Sequence, residues 1–77
     1  MISEQLRPLS KVRIGETVKL VGVNAGQGLN SRLASMGLVP NVEITVVGGG
    51  HPGPFVISVK KSRMMLGRGV ARKIMVL

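Results

Sequence analysis

A short helix with a marked end, placed between two strand-like runs, constrains the fold of this chain more than any other segment. Apolar side chains recur at i, i+4 and i+7, the spacing that puts them on one face of a helix, at Leu29, Leu33 and Met36. Gly37 follows where a left-handed residue closes a helix, and Leu38 supplies the apolar contact of such a cap. Pro40 prevents the helix from resuming. The sequence therefore predicts one helix over about residues 29–36.

The runs on either side of this helix have the two-residue period of a strand. Residues 17–23 and 42–47 are rich in β-branched side chains, with apolar residues at alternate positions. A loop of glycines and prolines occupies residues 48–54, and the alternation resumes over residues 55–60. Because successive side chains of a strand point to opposite faces, one set can enter a core.

The last third of the chain predicts shorter elements. A tight turn at Lys61 and Ser62 leads to a strand over residues 63–66, a single helical turn over residues 67–71, and a last strand over residues 74–76. Five short strands with one short α-helix inserted after the first are typical of a mainly β fold, a small, closed antiparallel β-barrel. The expected core includes the side chains of Val18, Leu20, Ile44, Val46, Ile57 and Ile74.

A single domain accounts for the length of the chain, which is 77 residues. We expect residues 1–8 to form a loose N-terminal lead-in and residues 9–77 to form the domain. A chain of this size buries only about 60% of the surface that its unfolded form exposes, so its stability margin is thin. Met36 and at least one of Met64 and Met65 are expected to fill gaps in the core, because methionine is flexible and apolar.

The charge of the chain is strongly unbalanced. The chain has eleven lysines and arginines and three acids, which gives a formal net charge of +8. Every acid lies within the first 43 residues. Such a field favours an anionic partner: nucleic acid, lipid headgroups or an acidic protein face. Scattered surface charge that only keeps the protein soluble explains the same numbers.

The inventory of reactive side chains is small. The chain has no cysteine, so it forms neither a disulfide nor a thiolate metal site. Its single histidine, His51, lies in the glycine loop, and its three carboxylates are far apart in sequence. General acid–base catalysis needs a titratable group with a tuned partner, and no pair stands out. We therefore expect no enzymatic activity, no catalytic residue, no metal site and no cofactor, although His51 could join a site completed by another chain.

Nucleic-acid binding is the main alternative to a protein-interaction role. Small barrels often bind single strands by stacking bases on aromatic side chains in a basic groove. The charge fits, but the chain has one phenylalanine, no tyrosine and no tryptophan, and Phe55 is expected in the core. Phosphate contacts alone would be salt-sensitive and unspecific. No apolar run approaches the roughly 18 residues of a membrane span, and the N-terminus has no apolar signal core, which predicts a cytoplasmic protein.

Several motifs, in order and at suitable spacing, resemble those of FeoA-type proteins, the small cytoplasmic component of bacterial ferrous-iron transport. An early Leu-x-x-x-x-x-Gly spans residues 9–15, and the signature Arg-Leu-x-x-Met-Gly-Leu-Val-Pro spans residues 32–40. The ending Leu-Gly-Arg-Gly-Val-Ala-x-x-Ile-x-Val spans residues 66–76. Asn41 stands where the family usually has glycine, and asparagine also tolerates a left-handed turn. The family usually has arginine directly after the leucine, whereas here Arg68 is offset by one position.

The resemblance implies an SH3-like β-barrel with a helical insertion, and a partner, the FeoB membrane permease with its cytosolic G domain. Similar domains form the C-terminal part of iron-dependent repressors, where they are protein-interaction modules. A chain of 77 residues favours the transport accessory protein, because a repressor also needs a DNA-binding domain. The implied location is cytoplasmic, peripheral to the inner membrane through the permease, with no membrane insertion and no nucleic acid bound. Homo-oligomerisation is compatible with a small, apolar-rich domain.

The expected function is that of a non-enzymatic accessory protein that docks on the cytosolic side of the permease and supports its activity or assembly. A sensor of metal or nucleotide state that acts on the permease's G domain is a further alternative. The expected docking residues lie on the helix with its cap and on the basic tail: Arg32, Ser35, Leu38, Lys60, Lys61, Arg63, Arg68 and Arg72.

Overall fold

The computed structural model describes residues 5–49 and 53–77, so residues 1–4 and His51 lie outside the described part of the chain. A 3₁₀ helix spans Leu9–Lys11, and none of the described helices is long and apolar enough to cross a membrane. The strands and α-helices are β1 (Arg7–Pro8), β2 (Thr17–Val23), α1 (Gln27–Ser35), β3 (Glu43–Gly49), β4 (Phe55–Val59), β5 (Ser62–Leu66), α2 (Arg68–Ala71) and β6 (Ile74–Val76).

The strands form one antiparallel sheet that encloses a single core, in the order β1-β6-β2-β3-β4-β5. The predicted mainly β architecture, with a helix between the first two long strands, is confirmed. Hydrogen bonding does not join β1 to β5 in the described residues, so the barrel is not closed by a continuous ladder. Instead, the 3₁₀ helix packs against α2 and β6, and α2 contributes the fully buried Ala71.

The strand β1 lies in the segment for which the sequence predicted a loose lead-in. Arg7 pairs with Val76 and Pro8 pairs with Met75. Two residues are too short to show any periodicity, so no pattern indicated this strand. Its position at the end of the sheet suits Pro8, which has no N–H to donate to a second neighbour.

The core confirms the predicted inward faces of the strands. Each of the six side chains predicted from the alternation is at most 5% exposed, and Phe55 is 6% exposed. The prediction for Met36 is wrong, because α1 ends at Ser35 and leaves Met36 at the C-cap, where it is 43% exposed. On β5, Met64 packs against the core and Met65 is exposed, as the alternation of a strand requires.

The end of α1 has the hydrogen-bond pattern of a Schellman cap. The N–H of Gly37 donates to the carbonyl of Ala34 at 3.0 Å, and the N–H of Leu38 donates to the carbonyl of Leu33 at 2.9 Å. Gly37 has the left-handed φ of +93° that this cap needs. The cap turns the chain so that Leu33 and Leu38 are both buried in the core.

A β-turn then returns the chain to the sheet. The N–H of Val42 donates to the carbonyl of Val39, with Pro40 and Asn41 at the two central positions. The φ of +75° at Asn41 is that of a type II turn, for which proline and then glycine or asparagine are the favoured residues. The left-handed geometry predicted for Asn41 is therefore present. The N–H of Leu20 donates to the carbonyl of Val42 at 2.9 Å, which joins the start of β3 to β2.

The turn between β4 and β5 lies at Lys60 and Lys61, one residue earlier than predicted. Both lysines have positive φ, +50° and +71°, and the flanking Val59 and Ser62 are paired. A two-residue hairpin with both central residues left-handed is a type I′ turn, which strongly prefers Asn-Gly. Two long side chains thus hold a conformation that costs each of them about 1 kcal/mol.

We predict that substitution by alanine has opposite effects on stability at Gly37 and Gly28. At both positions the added methyl group would contact nothing within 4 Å. Gly37→Ala should lower the free energy of unfolding by about 1 kcal/mol, because alanine is strained at positive φ. Gly28→Ala, inside α1, should raise it by about 0.5 kcal/mol through the entropy of the unfolded chain. Urea unfolding followed by circular dichroism measures both, and equal effects would contradict the cap.

The hairpin turn generates a second stability prediction. The double substitution Lys60→Asn and Lys61→Gly should raise the free energy of unfolding by about 1 kcal/mol, because it relieves the strained turn. The matched control, Lys60→Ala with Lys61→Ala, removes the same charges and keeps the strain. Thermal unfolding of the three proteins should show stabilisation in the first variant alone, and equal stabilisation in both would assign the effect to charge.

Candidate docking surfaces

A groove with a cationic rim lies between the segment that follows β1 and the helix α2. Its volume is about 620 Å³. Lys11 and Arg13 line it on the first side, Arg68 and Arg72 line it on the side of α2, and Phe55 lines it from β4. The four cationic side chains are exposed, whereas Phe55 is buried. We call this surface the basic groove.

Backbone contacts attach both sides of the basic groove to the barrel. The 3₁₀ helix packs against α2 and β6. Beyond it, the N–H of Gly15 donates to the carbonyl of Val46 at 2.7 Å, and the N–H of Val46 donates to the carbonyl of Glu16 at 3.1 Å. On the other side, only the N-cap residue Gly67 separates α2 from Leu66, the buried last residue of β5. The groove is therefore positioned by elements that share the core.

The carboxylate nearest to this surface in sequence, that of Glu16, is already engaged. Arg7 Nη2 donates to Glu16 Oε2 at 3.0 Å, and the backbone N–H of Arg13 donates to Glu16 Oε1 at 2.8 Å. These two bonds hold the pKa of the Glu16 carboxyl below its ordinary value, and the bond from Arg7 has the larger effect. Both side chains of this pair are more than one third exposed, so water screens their attraction.

Within residues 5–49 and 53–77, the Arg7–Glu16 contact is the single salt bridge. None of the four cations of the basic groove forms a salt bridge among the described residues, and Glu16 attracts only Arg13 from a longer distance. Their positive charge is available to a ligand, and it is concentrated in a concave surface that focuses the field.

The structure divides the predicted docking residues among several surfaces. Arg68 and Arg72 line the basic groove, together with Lys11 and Arg13, which the sequence analysis did not select. The only signal for Lys11 and Arg13 was their basic character in a short turn, and nothing local placed that turn beside α2. The other three predicted docking residues of the tail are exposed on the β4–β5 hairpin, outside the groove: Lys60, Lys61 and Arg63.

Arg32 lines a different surface, a smaller groove of about 230 Å³ between α1, the end of β5 and α2. We call it the apolar groove, because the rest of its lining is mostly aliphatic. It includes Met36 and Met65, which are 43% and 68% exposed. Flexible thioether side chains of this kind adapt to varied apolar partners.

The other two predicted docking residues of the helix and its cap differ in their exposure. Ser35 is exposed, and its hydroxyl donates to the carbonyl of Arg32 at 2.7 Å. Leu38 is only 2% exposed, so the expectation that it faces a partner is wrong. The Schellman cap is the physical reason, because it turns Leu38 inward onto the core that Leu33 also joins.

The chemistry that the described surfaces offer is charge and apolar contact. Among residues 5–49 and 53–77, no three histidine, cysteine, aspartate or glutamate side chains come together as a metal site. The groups that do converge are the guanidinium and ammonium groups of the basic groove and the methionines of the apolar groove.

The fold places the protein in the class of small SH3-like β-barrel domains. A comparison with family models then assigns the family: the FeoA domain matches residues 7–77, and the chain belongs to the FeoA family. The match begins at Arg7, the first residue of β1.

Individual relatives agree with this assignment. The chain is 41% identical over 69 residues to a protein of Methanocaldococcus jannaschii to which the name Fe(2+) transport protein A has been provisionally given; the match covers 90% of this chain and 83% of that one. A crystal structure of an iron uptake regulatory protein, FeoA, shares 34% identity and superposes with a TM-score of 0.87 over 96% of this chain and 97% of that one.

A zinc complex of FeoA from Stenotrophomonas maltophilia, described as a prokaryotic SH3 domain protein, shows the same fold. Its TM-score is 0.80 at 23% identity, over 91% of this chain and 88% of that one. At this identity the likeness concerns the fold alone, and it confirms the predicted SH3-like architecture.

The Arg7–Glu16 pair predicts a pH dependence of stability. Because folding lowers the pKa of Glu16, its contribution is present above the unfolded pKa and is lost as pH falls through the folded pKa. Between about pH 5 and pH 3, Glu16→Gln should therefore lose less unfolding free energy than the wild type. Urea unfolding at closely spaced pH values measures the difference. Arg7→Gln should also reduce the slope of the unfolding free energy against pH in this range. Parallel curves for all three proteins would contradict the role of the pair.

Proposed function

We propose that this protein is a non-enzymatic accessory protein of ferrous iron transport, which docks on the cytosolic side of a FeoB-type permease and supports its activity or assembly. The observation that carries the proposal is membership of the FeoA family over residues 7–77. The provisional name of the Methanocaldococcus jannaschii relative, an Fe(2+) transport protein, supports a role in ferrous iron transport. The proposed partner follows from the family resemblance in the sequence.

The surface of the barrel supports a docking role. It presents a groove with four cations that form no salt bridge in the described residues, and an apolar groove bordered by two exposed methionines. Both are concave surfaces that a partner protein can fill. The permease would bring the protein to the inner membrane, so the proposed location is cytoplasmic and peripheral to that membrane.

Within this function, the basic groove is the better candidate for the permease contact than the β4–β5 hairpin. The groove gathers cations from two separate segments into one concavity, whereas Lys60 and Lys61 form the exposed turn of the β4–β5 hairpin and Arg63 stands on β5. A concave arrangement lets one partner segment contact all four charges and exclude water from them, which strengthens each contact.

The proposal predicts that the tagged protein, purified from its native host after mild detergent extraction, enriches a large polytopic permease with a GTPase domain. Arg68→Glu with Arg72→Glu should reduce the recovered permease by roughly tenfold or more, because truncating or reversing desolvated ion pairs is costly. In a strain that lacks this protein, expression of the same variant should not restore ferrous iron uptake. Mass spectrometry and radioactive iron uptake are the two measurements.

A charge-matched variant, Lys60→Glu with Lys61→Glu, separates the groove from the net charge. Each double variant changes the formal charge from +8 to +4, since every substitution removes two positive units. Loss of permease with the hairpin variant alone would move the docking site to the hairpin. Full recovery with both variants would contradict docking through the basic residues, and salt-sensitive recovery of nucleic acid or ribosomal proteins would favour the nucleic-acid alternative.

A further inference from the structure

We propose that the basic groove binds an extended acidic segment of another protein that also carries an apolar side chain. This inference rests on the proposed docking function and adds to it the residues of the contact and the chemistry of the occupant. The site consists of the cations Lys11, Arg13, Arg68 and Arg72 and of the apolar side chain of Ile14.

The charges of the site fit carboxylates that are spread along a chain. Three of the four cations are arginines, whose planar guanidinium groups pair with carboxylates through two parallel hydrogen bonds. They come from both sides of the groove, Lys11 and Arg13 on one side and Arg68 and Arg72 on the other. An extended segment with several carboxylates can reach both sides at once, whereas a single small anion would leave one side unused.

An apolar contact accompanies these charges. Ile14 lines the groove and is 64% exposed, which makes it one of the most exposed large aliphatic side chains of the described residues. Val12 and Phe55 line the same concavity but are buried, so Ile14 supplies its exposed apolar side chain. A ligand that carried charge alone would leave Ile14 in water, and a segment with one apolar side chain would cover it.

A second copy of this chain does not supply such a segment. The chain has three acids in all, at positions 4, 16 and 43, so no stretch of it is acidic. Glu16 is engaged by Arg7, and Glu43 lies opposite Lys19 in the pairing of β2 with β3. Two copies, each with a net charge of +8, would also repel one another at the groove.

Nucleic acid and a membrane surface fit the groove less well than an acidic segment. The only aromatic side chain of the chain, Phe55, is 6% exposed and offers no platform on which a base could stack. A planar lipid surface meets the rim of a concavity and leaves its interior unfilled. Neither explains an exposed isoleucine in the lining of the same groove.

The test uses a fluorescent peptide of roughly eight residues, about 26 Å when extended, in which glutamates surround one leucine. This length is close to the 27 and 23 Å that the molecule measures along its shorter axes. Fluorescence anisotropy should show saturable binding to the wild-type protein. Lys11→Glu with Arg72→Glu should weaken the affinity at least roughly tenfold, and Lys60→Glu with Lys61→Glu, of equal net charge, should change it less than about threefold.

A second pair of measurements tests the apolar contact without changing any charge. Ile14→Ser should weaken binding of the leucine peptide several-fold, by roughly threefold or more, because an apolar contact is lost. The same variant should bind a control peptide, with serine in place of leucine, as the wild type does. Ile14 is exposed, so this variant is expected to fold, and far-UV circular dichroism confirms the fold of every variant before titration.

Three results would overturn the inference. They are the absence of peptide binding, equal weakening in the groove and hairpin variants, and an Ile14→Ser effect that is the same for both peptides. Displacement of the peptide by single-stranded RNA or by anionic lipid vesicles at equal charge concentration would assign the groove to those ligands instead. If the permease still co-purifies while the peptide fails to bind, the inference fails and the proposed function stands; peptide binding without permease would contradict the function alone.

Discussion

The turn of the chain at the end of α1 is the constraint on which the rest of the barrel depends. A Schellman cap at Gly37 buries Leu33 and Leu38 together, and the type II turn at Asn41 then delivers β3 to β2 in the correct register. β3 in turn pairs with β4 and binds the backbone of Gly15 through Val46. A helix that ended elsewhere would shift this register, and a shift of one residue would exchange the buried and exposed faces of the strand.

The distribution of charge follows from that scaffold. The bonds from Gly15 and Glu16 to Val46 hold the segment after the 3₁₀ helix against β3, and packing of the 3₁₀ helix on α2 holds it near Arg68 and Arg72. Meanwhile Glu16 forms its salt bridge with Arg7 and accepts a hydrogen bond from the backbone of Arg13, so the groove cations form no salt bridge in the described residues. Part of a positive charge that composition alone describes as diffuse, four of the eleven cations, is thereby brought together at one groove.

Local patterns predicted most of the fold because they report on single elements. The alternation in the strands identified their buried faces, and the glycine, leucine and proline after α1 identified its end. Helical periodicity failed for Met36, which lies at the cap where that periodicity stops. Leu38 makes the apolar contact predicted for the cap, and it was the separate assignment of Leu38 as a docking residue that was wrong. Local patterns also missed β1, which exists only because β6 is available as a partner.

The sequence by itself determined the strands, their inward faces, the helix cap, the excess of positive charge and the resemblance to the FeoA family, because each is carried by neighbouring residues or by composition. Only the tertiary structure decided which charges act together. Lys11 and Arg72 come from opposite ends of the chain, and they line one groove because the 3₁₀ helix packs against α2. Lys60 and Lys61 are nearer to Arg72 in sequence, yet they lie on the hairpin outside that groove, since the path of the backbone rather than sequence separation sets the distance between charges.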